Sequence, residues 1–207
     1  MMKKALILDL DNTLFSTPSI GDKLFVDLYS LLEINDKEFE GDLEDIKTDI
    51  NRKPFTVVAK QYNMSQLLYK ESLELLCNLT YNEPIELFPD YKEVTKIACD
   101  KFLVTSGFPK LQNSKVKQLG IENDFKKIYI VDTVMTNDTK KKVFESILHD
   151  FNYDASEVLV IGDDPESEIA AAKELGIDAL VYDKSNAYKN YDAISKISDF
   201  SQLQNYL

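Results

Sequence analysis

Ala5-Leu6-Ile7-Leu8-Asp9-Leu10-Asp11-Asn12-Thr13 is a short apolar run that closes on two acids, spaced by one residue, and a threonine. Such a run reads as a buried strand, and side chains two apart in a strand share a face. Asp9 and Asp11 are therefore expected on one side of the backbone, just past the strand's carboxyl end. Two carboxylates so close repel each other unless a cation, a proton or donor groups compensate them. Mg2+ suits such oxygens and keeps positions open for phosphate. Taken alone, residues 9–13 fit a solvated turn better, since Asp is common just past strand ends.

Later segments repeat the pattern. Phe102-Leu103-Val104 ends in Thr105-Ser106-Gly107, and Val158-Leu159-Val160-Ile161 ends in Gly162-Asp163-Asp164-Pro165. Between them Lys140-Lys141-Lys142 opens a helical stretch. Strand-like runs fall at about 5–9, 102–105, 127–131, 157–161 and 179–182. From residue 90 they alternate with helical patterns at about 90–100, 109–120, 139–152 and 165–175, with a short one near the C-terminus. This alternation predicts an α/β fold with a parallel, doubly wound sheet. In such a sheet the ligand crevice lies beyond the carboxyl ends of the strands, so distant strand-end residues converge there. Gly120 and Gly176 are placed as helix C-caps.

Residues 16–88 break the rhythm. Leu24, Phe25, Leu28, Leu31 and Leu32 fit a helical period, as do Leu67, Leu68, Ser72, Leu75, Leu76 and Leu79. The stretch 33–50 carries eight acids against two lysines, the mark of a solvated helical face. A helical insertion of about four helices is expected at 16–85, inside a core made of 1–15 and 86–207.

Bulk properties bound the partners. The chain has 207 residues, 44% hydrophobic and 29% charged, as in ordinary globular proteins. No apolar stretch approaches the ~20 residues that span a bilayer, and the N-terminal apolar run is too short for a signal peptide, so a cytoplasmic location is expected. The net charge of −12 argues against nucleic acid and anionic membranes as partners. Cys77 and Cys99 are expected as buried structural thiols rather than a disulfide. Arg52 is the only arginine and His149 the only histidine, which leaves a local pocket of Mg2+ and lysine to attract a phosphorylated small molecule. Arg52 and Lys53 are read as surface charges of the insertion.

An aspartate can attack phosphorus and form an acyl-phosphate that water then cleaves. Asp9 is the candidate nucleophile and Asp11 the candidate general acid and base. Mg2+ would be held by Asp9, the backbone carbonyl of Asp11, and Asp163. Thr105 and Ser106 offer hydroxyls and N–H groups to the phosphate. Lys140 lies four residues before Phe144 and seven before Ile147, which puts it on the buried helix face, with Lys141 as second choice. Glu168 is either a supporting acid or a partner of the helix dipole.

In this order, Asp9-Leu10-Asp11-Asn12-Thr13, Leu103-Val104-Thr105-Ser106-Gly107, the lysine cluster and Ile161-Gly162-Asp163-Asp164-Pro165 resemble the haloacid dehalogenase-like (HAD) superfamily. The resemblance covers roughly residues 3–15 and 85–185. It implies a Rossmann-like sheet in the order 5-4-1-2-3, a C1-type helical cap after the first motif, and Mg2+-dependent phosphoryl transfer through an aspartyl-phosphate. It also implies phosphate contacts from Thr105 and Lys140 and a metal ligand in Asp163. True dehalogenases of the superfamily lack an acid at the place of Asp11, so the chain resembles the phosphatase branch. Many relatives carry their lysine where this chain has Asp138, and an aspartate where it has Glu168. The stretch Thr105–Lys115 is similar to members that cleave nucleoside monophosphates. Alternatives are a mutase of the β-phosphoglucomutase type, which would need a returning cap donor, and a non-catalytic phosphate-binding module.

Overall fold

β1 (Ala5–Leu8) is buried along its whole length, and its alternation decides the layering. The computed structural model describes residues 2–51, 53–132, 134–188 and 195–207. Ala5 and Ile7 pack into one apolar cluster and Leu6 and Leu8 into another, so β1 is covered on both faces. Burying a side chain of this size contributes about 1.5–3 kcal/mol. β1 therefore takes the middle of a six-stranded sheet in the order β3 (Lys127–Val131), β2 (Asp100–Ser106), β1, β4 (Val158–Gly162), β5 (Asp178–Tyr182) and β6 (Lys196–Ile197). Every pairing is parallel. The first five strands follow the expected order. β6 extends it by one edge strand, too short to leave a pattern in the sequence.

Five helices make up the insertion that follows β1: α1 (Pro18–Leu24), α2 (Val26–Ile34), α3 (Leu43–Ile50), α4 (Phe55–Gln61) and α5 (Gln66–Asn78). The expectation was about four. Phe25 leaves helical geometry between α1 and α2, and Pro54, extended, separates α3 from α4. Leu28, Leu32, Ile46, Val58, Leu68 and Leu76 give these helices an apolar cluster of their own. The chain leaves and re-enters the core at neighbouring points, where Phe15 bridges to Leu87.

The core helices are α6 (Tyr91–Thr95), α7 (Pro109–Leu119), α8 (Lys140–Asp150) and α9 (Ala170–Glu174). α6 stops short of the expected 90–100 because β2 begins at Asp100, where it pairs with Ala5. The expected helix at 165–175 is divided: a π-helical turn, Pro165–Ile169, precedes α9. α7 buries Leu111, Val116 and Leu119 on the Leu6/Leu8 face, while α8 buries Phe144 and Ile147 on the Ala5/Ile7 face. Cys77 and Cys99 are free thiols, half-buried rather than buried, Cys99 packing at the margin of the Leu6/Leu8 cluster. Among the described residues no helix is long and apolar enough to cross a membrane.

Candidate active site

Asp9 follows β1 directly and continues its pairing, its N–H donating to the Ile161 carbonyl at 2.9 Å. Strand alternation turns its side chain toward the α8 layer. There Lys140 Nζ lies 2.6 Å from Asp9 Oδ1 and 2.7 Å from Glu168 Oε2, all three groups buried. Lys140 reaches this point because it opens α8, whose N-cap Thr139 accepts from the Lys142 N–H at 3.2 Å. Lys141, one step around the helix, is half-buried, outside the Asp9 cluster, and pairs with Glu174. The structure thus separates the two candidate lysines.

Glu168 sits in the π-helical turn, a deformation that recurs at functional sites. Its Oε1 accepts from the Asp164 N–H at 2.8 Å while Oε2 meets Lys140. The carboxylate lies so close to the end of β4 that a Cβ on Gly162 would come within 2.1 Å of Oε1. Glycine is the residue that this approach permits.

Asp9, Asp163 and Glu168 each offer a carboxylate oxygen, and these oxygens lie within 4.8 Å of one another. Three acids thus share one ammonium. Burial, and then Glu168, push Asp163 up to about 7. Burial likewise raises Asp9 well above the usual carboxylate range, against the opposing pull of Lys140. Burial would lower Lys140, but Asp9 and Glu168 overcome it and hold the ammonium protonated. The set is all oxygen and short of positive charge, which fits a hard divalent cation such as Mg2+.

Asp11 belongs to the opposite side of the sheet. The strand ends at Leu8 and Asn12 takes a left-handed conformation with φ 55°, so the side-chain alternation expected for Asp9 and Asp11 does not carry through. The Asp11 carboxylate is held by α7 instead: Lys115 Nζ donates to Oδ1 at 2.7 Å and Gln112 Nε2 to Oδ2 at 2.7 Å. Gln112 Nε2 also donates to Thr105 Oγ1 at 2.6 Å, leaving the Thr105 hydroxyl proton for another acceptor. Burial would raise Asp11, but Lys115 and Gln112 outweigh it and hold the carboxyl below its ordinary value.

One cavity of about 550 Å3 unites the two halves, lined by Asp9, Asp11, Thr105, Ser106, Lys140 and Asp163. Gln112, Lys115 and Glu168 also line it. Its far wall comes from the insertion, through Leu24, Phe25, Ile50, Asn51 and Phe55, and Phe108 of the core adds to it. Lys53 reaches the cavity but is tied to Asp49 at 2.8 Å. Arg52 lies outside the described residues.

Gln112 and Lys115 are the residues that sequence reasoning passed over. The signal was there: Leu111, Gln112, Lys115, Val116 and Leu119 form one buried helical stripe, and two of the five are polar. A polar side chain on an apolar stripe needs a buried partner.

The family model of haloacid dehalogenase-like hydrolases matches residues 3–176. The glyceraldehyde 3-phosphate phosphatase of Pyrococcus abyssi is 35% identical over 78 residues, which are 38% of this chain and 33% of that protein. The chain thus matches about a third of that relative's length. A structure from Clostridium difficile, assigned provisionally as a phosphatase, is similar with a TM-score of 0.68 and 20% identity, covering 98% of this chain and 91% of that one. A magnesium-bound Bacillus subtilis protein, assigned provisionally as a HAD hydrolase, has a TM-score of 0.66 and 18% identity, covering 100% and 99%. At these identities the two structures share the fold.

Proposed function

Because this chain belongs to the haloacid dehalogenase-like hydrolase family, we propose that it is a Mg2+-dependent phosphomonoesterase acting on a small phosphorylated metabolite through an aspartyl-phosphate. The observation that carries this reading is the convergence of Asp9, Lys140 and Asp163 with Asp11 and Thr105 on one cavity. In it Asp9 Oδ attacks phosphorus while Asp11 gives a proton to the ester oxygen, which departs as an alcohol. Asp11, now a carboxylate, takes a proton from the water whose oxygen bonds to phosphorus as the bond to Asp9 breaks. Asp11 held below its ordinary value suits this second half. An incoming phosphate carries negative charge that favours protonation, the form the first half needs.

Lys140 and the Thr105 hydroxyl, with Ser106 beside them, face the phosphoryl oxygens, while the Gly107 N–H is taken by the Val131 carbonyl at 3.0 Å. Asp9 and Asp163 would hold the ion, with the Asp11 carbonyl beside them. Both oxygens of Glu168 are engaged, so its part is to hold Lys140 in place. Bound there, Mg2+ would offset the charge shared by nucleophile and phosphate. The five-helix insertion acts as a cap, its apolar wall meeting the leaving group and excluding water.

The test is release of phosphate from para-nitrophenyl phosphate with and without Mg2+, for the wild type and for Asp9→Asn. Activity that needs Mg2+ and disappears in the variant is expected. Turnover undiminished by Asp9→Asn would refute the nucleophile.

A further inference from the structure

Lys115 is a cation in a site that already has its phosphate lysine. Its side chain is 5% exposed and its ammonium lies 2.7 Å from Asp11 Oδ1 and 5.9 Å from the centre of the Phe15 ring. Gln112 holds the other carboxylate oxygen, so both oxygens of Asp11 are fixed by side chains one helical turn apart on α7. The Thr17 hydroxyl adds a longer contact of 3.4 Å.

Within its own segment only this longer Thr17 contact reaches the Asp11 carboxylate. Asn12 has left the strand conformation, and β1 ends three residues earlier than Asp11. The carboxylate is aimed from outside its own segment, by a helix a hundred residues further along the chain. Gln112 is in turn shared with Thr105 at 2.6 Å, so the same amide sets the acid and the phosphate-facing hydroxyl relative to each other. Gly107 supports this: its φ is 144° and an added Cβ would press on Gln112 at 3.3 Å. A misplaced proton donor loses much of its catalytic contribution even when all groups are present.

We infer that Lys115, seconded by Gln112, is the positioning residue for Asp11, fixing its carboxyl where it meets the leaving oxygen of the substrate. The inference rests on the phosphomonoesterase reading above. A group that positions the acid matters in proportion to how much the leaving oxygen needs a proton. An alkoxide needs it; para-nitrophenolate, a stable anion, does not.

The experiment compares kcat for an alkyl monophosphate and for para-nitrophenyl phosphate, with Mg2+, in the wild type, Asp11→Asn, Lys115→Met, Lys115→Arg and Gln112→Leu. Lys115→Met is expected to lose on the order of 10²-fold in kcat on the alkyl ester, the size of a general-acid contribution, and far less on the aryl ester. KM and competitive inhibition by inorganic phosphate should stay near the wild type. Lys115→Arg should recover part of the alkyl activity, and Gln112→Leu should show the same imbalance to a smaller degree. Equal losses on both esters in Lys115→Met and Gln112→Leu, or a rise in KM and weaker phosphate inhibition with kcat kept, overturn the proposal. In those cases Lys115 is structural or a substrate contact. Failure of the wider reading has its own signature: wild type that cleaves neither ester, or Asp11→Asn that keeps full alkyl activity. Either result refutes the acid role and the positioning role with it. If Lys115→Met does not fold, the imbalance in Gln112→Leu alone decides.

Discussion

At the scale of single residues the site is a set of buried charges that do not balance. Asp163, raised from 3.8 to about 7, binds protons more tightly folded than unfolded. Such a carboxyl penalises the folded state progressively as pH climbs from the unfolded value to the folded one. In metal-free protein the difference in melting temperature between Asp163→Asn and wild type should therefore widen from pH 4 to about pH 7 and then level off. A difference that stays flat across that range would contradict the shift. Asp9, Thr105, Lys140 and Asp163 were legible in the sequence because each follows a strand or shares a helix face with obvious core residues. Lys115 was not, because it entered only as the end of the stretch Thr105–Lys115 and was given no role of its own. The face it shares with Leu111 and Leu119 emerges only once the stripe is drawn with its polar members included.

Among elements, α8 and the turn before α9 act as one device. The first residue of α8 carries the ammonium, so the cap at Thr139 sets where the charge sits. Thr139→Ala should lower stability by about 1 kcal/mol, as loss of an N-cap does. It should also lower kcat by more than that stability change explains, with Thr139→Ser restoring both. Urea titration and kinetics check this, and an unchanged kcat in Thr139→Ala would show that the packing of Phe144 alone fixes Lys140. The π-helical turn at Pro165–Ile169 could not be read from residue periods. It is a tertiary product, drawn out by the contacts of Glu168 with Lys140 and the Asp164 N–H. The same reasoning covers α1–α5, where helix-forming composition was plain but the break at Phe25 depended on packing.

For the whole molecule, the parallel sheet was legible because strands and helices alternate from β2 onward, and its five-strand order because the strand-end motifs resemble those of the HAD superfamily. β6 was not, with two residues and no run of its own. The charge imbalance also has a global readout. An ion bound by the folded state alone stabilises it by about 2.7 kcal/mol at a hundred times its dissociation constant, which for a chain of this size raises the melting temperature by about 5–10 °C. Millimolar Mg2+ should produce such a rise in wild type and much less in Asp163→Asn. No rise in wild type would remove the metal from the reading. The central place of β1 has one more consequence, for how the chain comes to be folded. β1 is made before either of its partners, Asp100–Leu103 on one side and Val158–Ile161 on the other. Such distant pairings are slow to form, since the loops between them must close first. While the rest of the chain emerges from the ribosome, Ala5–Leu8 is a bare apolar segment with both edges unpaired. The helices that follow it draw on contacts close in sequence and are free to assemble in the interval, holding the two ends of the insertion together until the sheet has its middle.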